Sequence, residues 1–148
     1  MFGLGLALAG VLHAQDVAAR QATPEAVLLP AYLDAFNRHD ATAVAAHCAE
    51  DFKWFSLEGD KSSTDVSGRA ALQEWLTGYF KSFPTVRSEF VSLDQAGPFL
   101  SVRERASWDN KAGKRVSQQG IGVYEIRDGL IRRVWYYPSV KDAPSPAK

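Results

Sequence analysis

The sequence predicts an α+β fold, helices first and an antiparallel sheet after them, on three observations. Apolar residues recur at helical spacing through residues 25–39 and again through 69–83. Residues from about 86 to 137 then read as long strands, and LSVRERASW alternates residue by residue. The last of them, GIGVYEIRDGLIRRVWYY, is two strand-like arms about Asp128-Gly129, a pair suited to a two-residue type I′ turn. Helices followed by a run of strands put the helices on one face of a curved sheet. With 148 residues, 46% hydrophobic and 23% charged, the chain has the size and composition of one globular domain.

Each element has a local reason. MFGLGLALAGVLHA (residues 1–14) is uncharged, apolar and too short to cross a bilayer. It resembles a secretory signal peptide cut after Ala14; because it lacks Lys and Arg, an apolar first helix is the competing reading. Residues 15–23 form a flexible leader. Thr23-Pro24-Glu25 starts a helix, with Thr as N-cap and Pro at its first position. Leu28, Tyr32 and Phe36 make its stripe, and Pro30 is expected to disturb its first turn. Asp40 caps a short second helix over Ala41–Cys48. FKWFSL (52–57) is an aromatic strand, EGDKSSTDVSG a polar loop, and RAALQEWLTGYFKSF (69–83) a third helix ended by Pro84. Strands follow at about 86–95, 99–108, 116–127 and 130–137. The domain spans 24–138, and residues 139–148 form a Pro-rich disordered tail.

Composition excludes several functions. Net charge is zero, with 7 Lys/Arg against 12 Asp/Glu in residues 1–99 and 10 against 5 afterwards. The basic residues lie singly along strands with acids between them, which is not the dense face nucleic acid requires. After signal removal no membrane partner is expected, and the protein is placed outside the cytoplasm, secreted or periplasmic. The lone cysteine, Cys48, allows no internal disulfide and reads as a buried small residue. His39 and His47 lack metal-ligand spacing, so neither a metal nor a cofactor is expected.

The strand faces locate the chemistry. In LSVRERASW, Leu100, Val102, Ala106 and Trp108 share a face with Glu104, the one charged residue there. A carboxyl on an apolar face pairs with a cation, shifts its pKa upward or lines a wet cavity. A buried Glu–Arg pair and a general acid or base both fit. A type I′ turn in the last hairpin sets Tyr124 opposite Arg133, Gly122 opposite Trp135 and Ile121 opposite Tyr136. Tyr124, Arg133 and Trp135 then face the helices, while Ile121, Val134 and Tyr136 face outward. Neither face is cleanly polar, which suits a homodimer formed through the outer sheet face.

AYLDAFNRHDATAVAAHCAEDFKWF, VSGRAALQEWL and GVYEIRDGLIRRVWYY, in this order, resemble the nuclear transport factor 2-like superfamily, which includes the SnoaL-like polyketide cyclases and the ketosteroid isomerases. The resemblance covers about residues 25–138. It implies a cone-shaped α+β barrel, three N-terminal helices packed on a strongly curved, mainly antiparallel sheet, with a deep pocket between them. Ketosteroid isomerase uses a Tyr and a protonated Asp as oxyanion donors and an Asp base. Carried over, the Tyr falls on Tyr32, the base on Ser56 and the protonated Asp on Gly122. Both carboxylates are gone, so that mechanism is disfavoured. The Asp-Arg-Asp pattern of limonene epoxide hydrolases is not evident.

The expected pocket lining is Tyr32, Trp54, Ser56, Glu104, Gln118, Tyr124, Arg133 and Trp135, mostly aromatic with a few polar groups, as a site for a small apolar or aromatic molecule should be. Glu104 is the candidate acid or base, Tyr32 the donor to an oxyanion, and Arg133 the group that holds an anion or sets the Glu104 pKa. Tyr32 also fits a plain core role. The functions in play are an isomerase, dehydratase or hydrolase, a non-catalytic binder, and a dimerisation module with a filled interior.

Overall fold

The computed structural model describes residues 23–143. The expected signal peptide, the expected leader up to residue 22 and the end of the tail lie outside the described residues. Three helices come first: α1 (Pro24–Asn37), α2 (Ala41–Ala46) and, after two strands, α3 (Arg69–Ser82). The strands are β1 (Cys48–Glu58), β2 (Lys61–Ser67), β3 (Arg87–Ala96), β4 (Phe99–Asp109), β5 (Arg115–Arg127), β6 (Leu130–Tyr136) and β7 (Val140–Lys141). They form one sheet in the order β2-β1-β6-β5-β4-β3, with β7 against β5. Only β1 and β6 run parallel. The α+β cone of three helices on a curved sheet is the fold expected.

Thr23 caps α1, its hydroxyl accepting from the Ala26 N–H at 3.2 Å, and the helix continues through Pro30 without a break. Asp40 caps α2 by accepting from the Ala43 N–H at 2.9 Å. That helix stops at Ala46, and Cys48, expected on it, opens β1 instead. The core joins Leu29, Val44, Phe52, Leu72, Leu76, Leu100, Val102, Tyr124, Ile126 and Ile131. Each such side chain contributes about 1.5–3 kcal/mol by leaving water.

β2 occupies the stretch expected as a polar loop. Only Val66 of its seven residues is buried, so it lacked the apolar alternation that marks a strand. β7 likewise orders the first part of the expected disordered tail. On β5, β6 pairs with Gly122–Arg127 and the Tyr137 N–H donates to the Ile121 carbonyl at 3.0 Å, while β7 closes the earlier part of that edge at Gln118 and Gln119. The Asp142 carboxylate then accepts from Ser117 Oγ at 2.5 Å, Gln119 Nε2 at 2.6 Å and Arg105 Nε at 3.2 Å. Those hydrogen bonds hold its pKa below the usual carboxylate value.

The last hairpin departs from its expected register. Asp128 and Gly129 both have positive φ, 54° and 71°, as a type I′ turn needs. Ile126 pairs with Ile131, but Glu125 pairs with Arg133, so Arg132 is an extra residue in β6. This bulge reverses every later side chain. Tyr124 now faces Val134, and Gly122 faces Tyr136. Val134 and Tyr136 point inward, whereas Arg133 and Trp135, expected in the pocket, stand on the outer face. There Arg133 lies 3.7 Å from Glu125, and Trp135 stacks on Phe55 at 5.7 Å between ring centroids.

Candidate functional site

Between the helices and the inner sheet face lies a cavity of about 690 Å³. Six of the eight expected residues line it: Tyr32, Trp54, Ser56, Glu104, Gln118 and Tyr124. Arg133 and Trp135 do not. Three residues that the sequence reading left out complete the inner wall: Tyr136, Tyr79 and Ser88. Ser88 had a signal. In VRSEF, residues 86–90, the inward positions are Val86, Ser88 and Phe90, and Ser88 is the polar misfit, as Glu104 is in β4. Tyr136 was legible only with the bulge.

Glu104 sits mid-strand, paired with Phe90 of β3 and Gly120 of β5. Tyr136 donates to its Oε2 at 2.5 Å, and the Tyr124 and Tyr136 hydroxyls are themselves hydrogen bonded. Because the Tyr136 O–H donates to Glu104, it is the Tyr124 hydroxyl that donates to Tyr136. When Glu104 is protonated the same chain runs in reverse, with Glu104 donating to Tyr136 and Tyr136 to Tyr124. A proton can therefore enter or leave Glu104 without breaking the chain.

Burial raises the Glu104 pKa above the ordinary carboxyl value, against the smaller lowering effects of the Tyr136 and Ser88 hydroxyls. Among the described residues no cation lies within ion-pair distance of it. Burial first, and the nearby Glu104 charge second, push the Tyr124 and Tyr136 phenols well above their usual value, so both stay neutral donors. The Tyr32 phenol is raised too, by burial, then Cys48, then Glu104. Tyr32 is mostly core: it is 8% exposed and meets Tyr124 edge-on at 6.0 Å. Cys48 is no nucleophile in this setting, since burial pushes its thiol up to about 12.

The Ser88 backbone is clamped by Asn37, whose Oδ1 accepts from the Ser88 N–H at 2.8 Å and whose Nδ2 donates to the Ser88 carbonyl at 2.9 Å. The Ser88 hydroxyl is close enough to Glu104 to lower its pKa, yet it completes full hydrogen-bond geometry with no group. It is the single buried side-chain polar atom among the described residues left so.

Toward the opening, Trp54 lies 5.1 Å from Trp75 and 5.2 Å from Tyr136, and Trp75 stacks on Tyr79 at 5.0 Å. Ser56 donates to the carboxylate of Asp65 on β2, which Ser63 also bonds at 2.9 Å. Trp54 pairs with Val66 and Phe55 with Thr64, so Asp65 is an extra residue, and this bulge places it on the cavity wall. The cavity can hold a flat, mostly apolar molecule against aromatic faces and present one of its polar groups to Glu104, Ser88 and the two tyrosines. No group of three or more metal-ligating side chains is found among the described residues.

The comparisons agree with this geometry. An uncharacterized cystatin-fold protein from Novosphingobium aromaticivorans is similar at 16% identity, over 78% of this chain and 98% of that one, with a TM-score of 0.67. TerC co-crystallized with polyporic acid is similar at 18% identity, over 81% and 92%, with a TM-score of 0.66. A protein of ketosteroid isomerase-like fold from Catenulispora acidiphila, in complex with trimethylamine, is similar at 13% identity, over 75% and 84%, with a TM-score of 0.63. At these identities the likeness is one of fold. No curated protein matches the sequence. The SnoaL-like domain profile matches residues 29–134. Spanning both the helices and the sheet that wall the cavity, that match decides the family: the chain belongs to the SnoaL-like domain family.

Proposed function

We propose that the protein binds a small, largely apolar molecule in this cavity and carries out acid–base chemistry on it, of the isomerase, dehydratase or hydrolase kind. The observation that carries the reading is Glu104: a carboxyl on the cavity wall, bonded by Tyr136, with no cation in ion-pair distance among the described residues and raised in pKa. A carboxyl tuned upward in this way carries a proton nearer neutral pH than a solvated one, which general acid–base catalysis requires. Tyr136 and Tyr124 hold it in place and relay the hydrogen-bond change. That TerC was crystallized with polyporic acid and the Catenulispora protein with trimethylamine supports small organic molecules as the ligand class.

A second reading, a binder without turnover, is favoured by Ser56 and Gly122. They stand where the resemblance to ketosteroid isomerase expects the two carboxylates. Native mass spectrometry of freshly purified protein separates the two. A co-purifying molecule that the wild type converts and Glu104→Gln retains unchanged supports catalysis. A molecule that both proteins return unaltered defeats it.

Two companion proposals rest on the rest of the chain. The uncharged apolar segment 1–14 fits export. The outer sheet face, with Ile121 49% exposed beside Trp135 and Phe55, fits a homodimer contact. Among the described residues no helix is long and apolar enough to cross a membrane.

A further inference from the structure

The bulge at Arg132 changes the charge of the cavity as well as its shape. Arg133 was the one cation expected in it, and it lies outside. The lining holds three carboxylates, Glu58, Asp65 and Glu104, and no Lys, Arg or His among the described residues. Asp65 and Glu58 are exposed, so they mark the opening, and neither lies within ion-pair distance of a cation among the described residues. The negative charge of Asp65 is held toward the cavity by Ser56 and Ser63 and is left unbalanced. An independent feature marks the inner end as built for a ligand. Ser88 is 6% exposed and lines the cavity beside Glu104, and its hydroxyl completes full hydrogen-bond geometry with no group among the described residues.

We propose that the molecule held here is an organic cation: an apolar, ring-sized body with a protonated amine seated at the opening between Asp65 and the indoles of Trp54 and Trp75. This rests on the cavity being a small-molecule site and adds the substrate class. The indoles meet at 60°, with 5.1 Å between ring centroids, and so offer two non-parallel walls. A cation is attracted to an indole face, more so where the site excludes water. An exposed ion pair with Asp65 adds a smaller gain. Together they give an amine on the order of ten-fold or more over its neutral isostere. An anion meets three carboxylates and no compensating charge, so it is rejected.

Three isosteric probes test this by calorimetric titration near pH 7: 1-naphthylmethylamine, 1-naphthylmethanol and 1-naphthoate. The expected order is amine at least ten-fold tighter than alcohol, with the carboxylate weakest. The amine's advantage should shrink with added salt. Asp65→Asn, at an exposed position that leaves the core intact, should remove most of that advantage and leave the alcohol's affinity unchanged. Glu58→Gln is the second variant, with a smaller loss expected. If the alcohol binds as tightly as the amine, or Asp65→Asn leaves their ratio unchanged, the cation proposal fails and the cavity reading survives. If none of the three binds, both fail.

Discussion

Replacing Glu104 with Gln tests the site without any knowledge of its ligand. The substitution keeps the side chain's shape and an oxygen for Tyr136 to bond, and it replaces the titrating oxygen with an amide NH2 that does not titrate. The Glu104 pKa is raised on folding from an ordinary value of 4.5. A carboxyl raised on folding contributes stability while it stays protonated, below 4.5. That contribution is lost as pH rises through the folded pKa, because the folded state must then hold a buried charge. Between the two values wild type loses about 1.4 kcal/mol per pH unit relative to a non-titrating residue. Above the folded value the difference stays constant. Structure gives the sign: one phenol bonds the carboxylate and no cation among the described residues sits within ion-pair distance, so burial wins. The assay is thermal or guanidinium unfolding of wild type and Glu104→Gln at intervals from pH 4 to 8. The variant's advantage should be least near pH 4 and grow with pH, by about 4 °C in midpoint for each kcal/mol. A difference independent of pH, or one that favours wild type as pH rises, would refute the reasoning.

Two further predictions concern the wall itself. In Gly122→Ala the new Cβ would stand 2.8 Å from Tyr136 Cε1, so the ring must move and the hydrogen bond to Glu104 breaks. We expect a loss of about 1–3 kcal/mol by denaturant unfolding, together with a pH-dependent loss that continues to higher pH than in wild type, because the Tyr136 bond no longer lowers the Glu104 pKa. Arg133→Ala removes an outer-face charge that lies 3.7 Å from Glu125. It should cost no more than about 1 kcal/mol and leave naphthyl probe affinities unchanged, whereas a large loss of binding would place Arg133 inside and restore the unbulged register.

The fold was legible in the sequence because its signals are local. Thr23, Asp40 and Asp128-Gly129 act within a few residues, and each does in the structure what its chemistry requires. The inward side of β4 was legible for the same reason, since a strict alternation with one charged misfit fixes the position of Glu104. The site was only partly legible because its walls depend on single extra residues: Asp65 in β2, Val91 in β3 and Arg132 in β6. A bulge reverses the parity of everything after it, and the inserted residue looks ordinary in the sequence. Arg132 beside Arg133 gives no sign of which arginine is the extra one. β2 was missed for a different reason: it is held by its ladder to β1 and has almost nothing apolar to show.

The bulges also answer where the chemistry of this domain has gone. The resemblance to ketosteroid isomerase puts an acid at Gly122 and a base at Ser56, and neither residue can titrate. Each, however, has a carboxylate one strand away. Val102 pairs with Gly122, and Glu104 lies two residues further along the same inner face of β4. Ser56 donates to Asp65, which the bulge in β2 has turned to the wall. Gly122 then has a use of its own, because only a residue without a Cβ lets the Tyr136 ring lie close enough to reach Glu104. The two carboxylates sit in opposite surroundings, Glu104 on the buried inner wall and Asp65 in water at the opening. The two carboxyls near the positions of the missing pair thus come from neighbouring strands, Glu104 from β4 and Asp65 from β2.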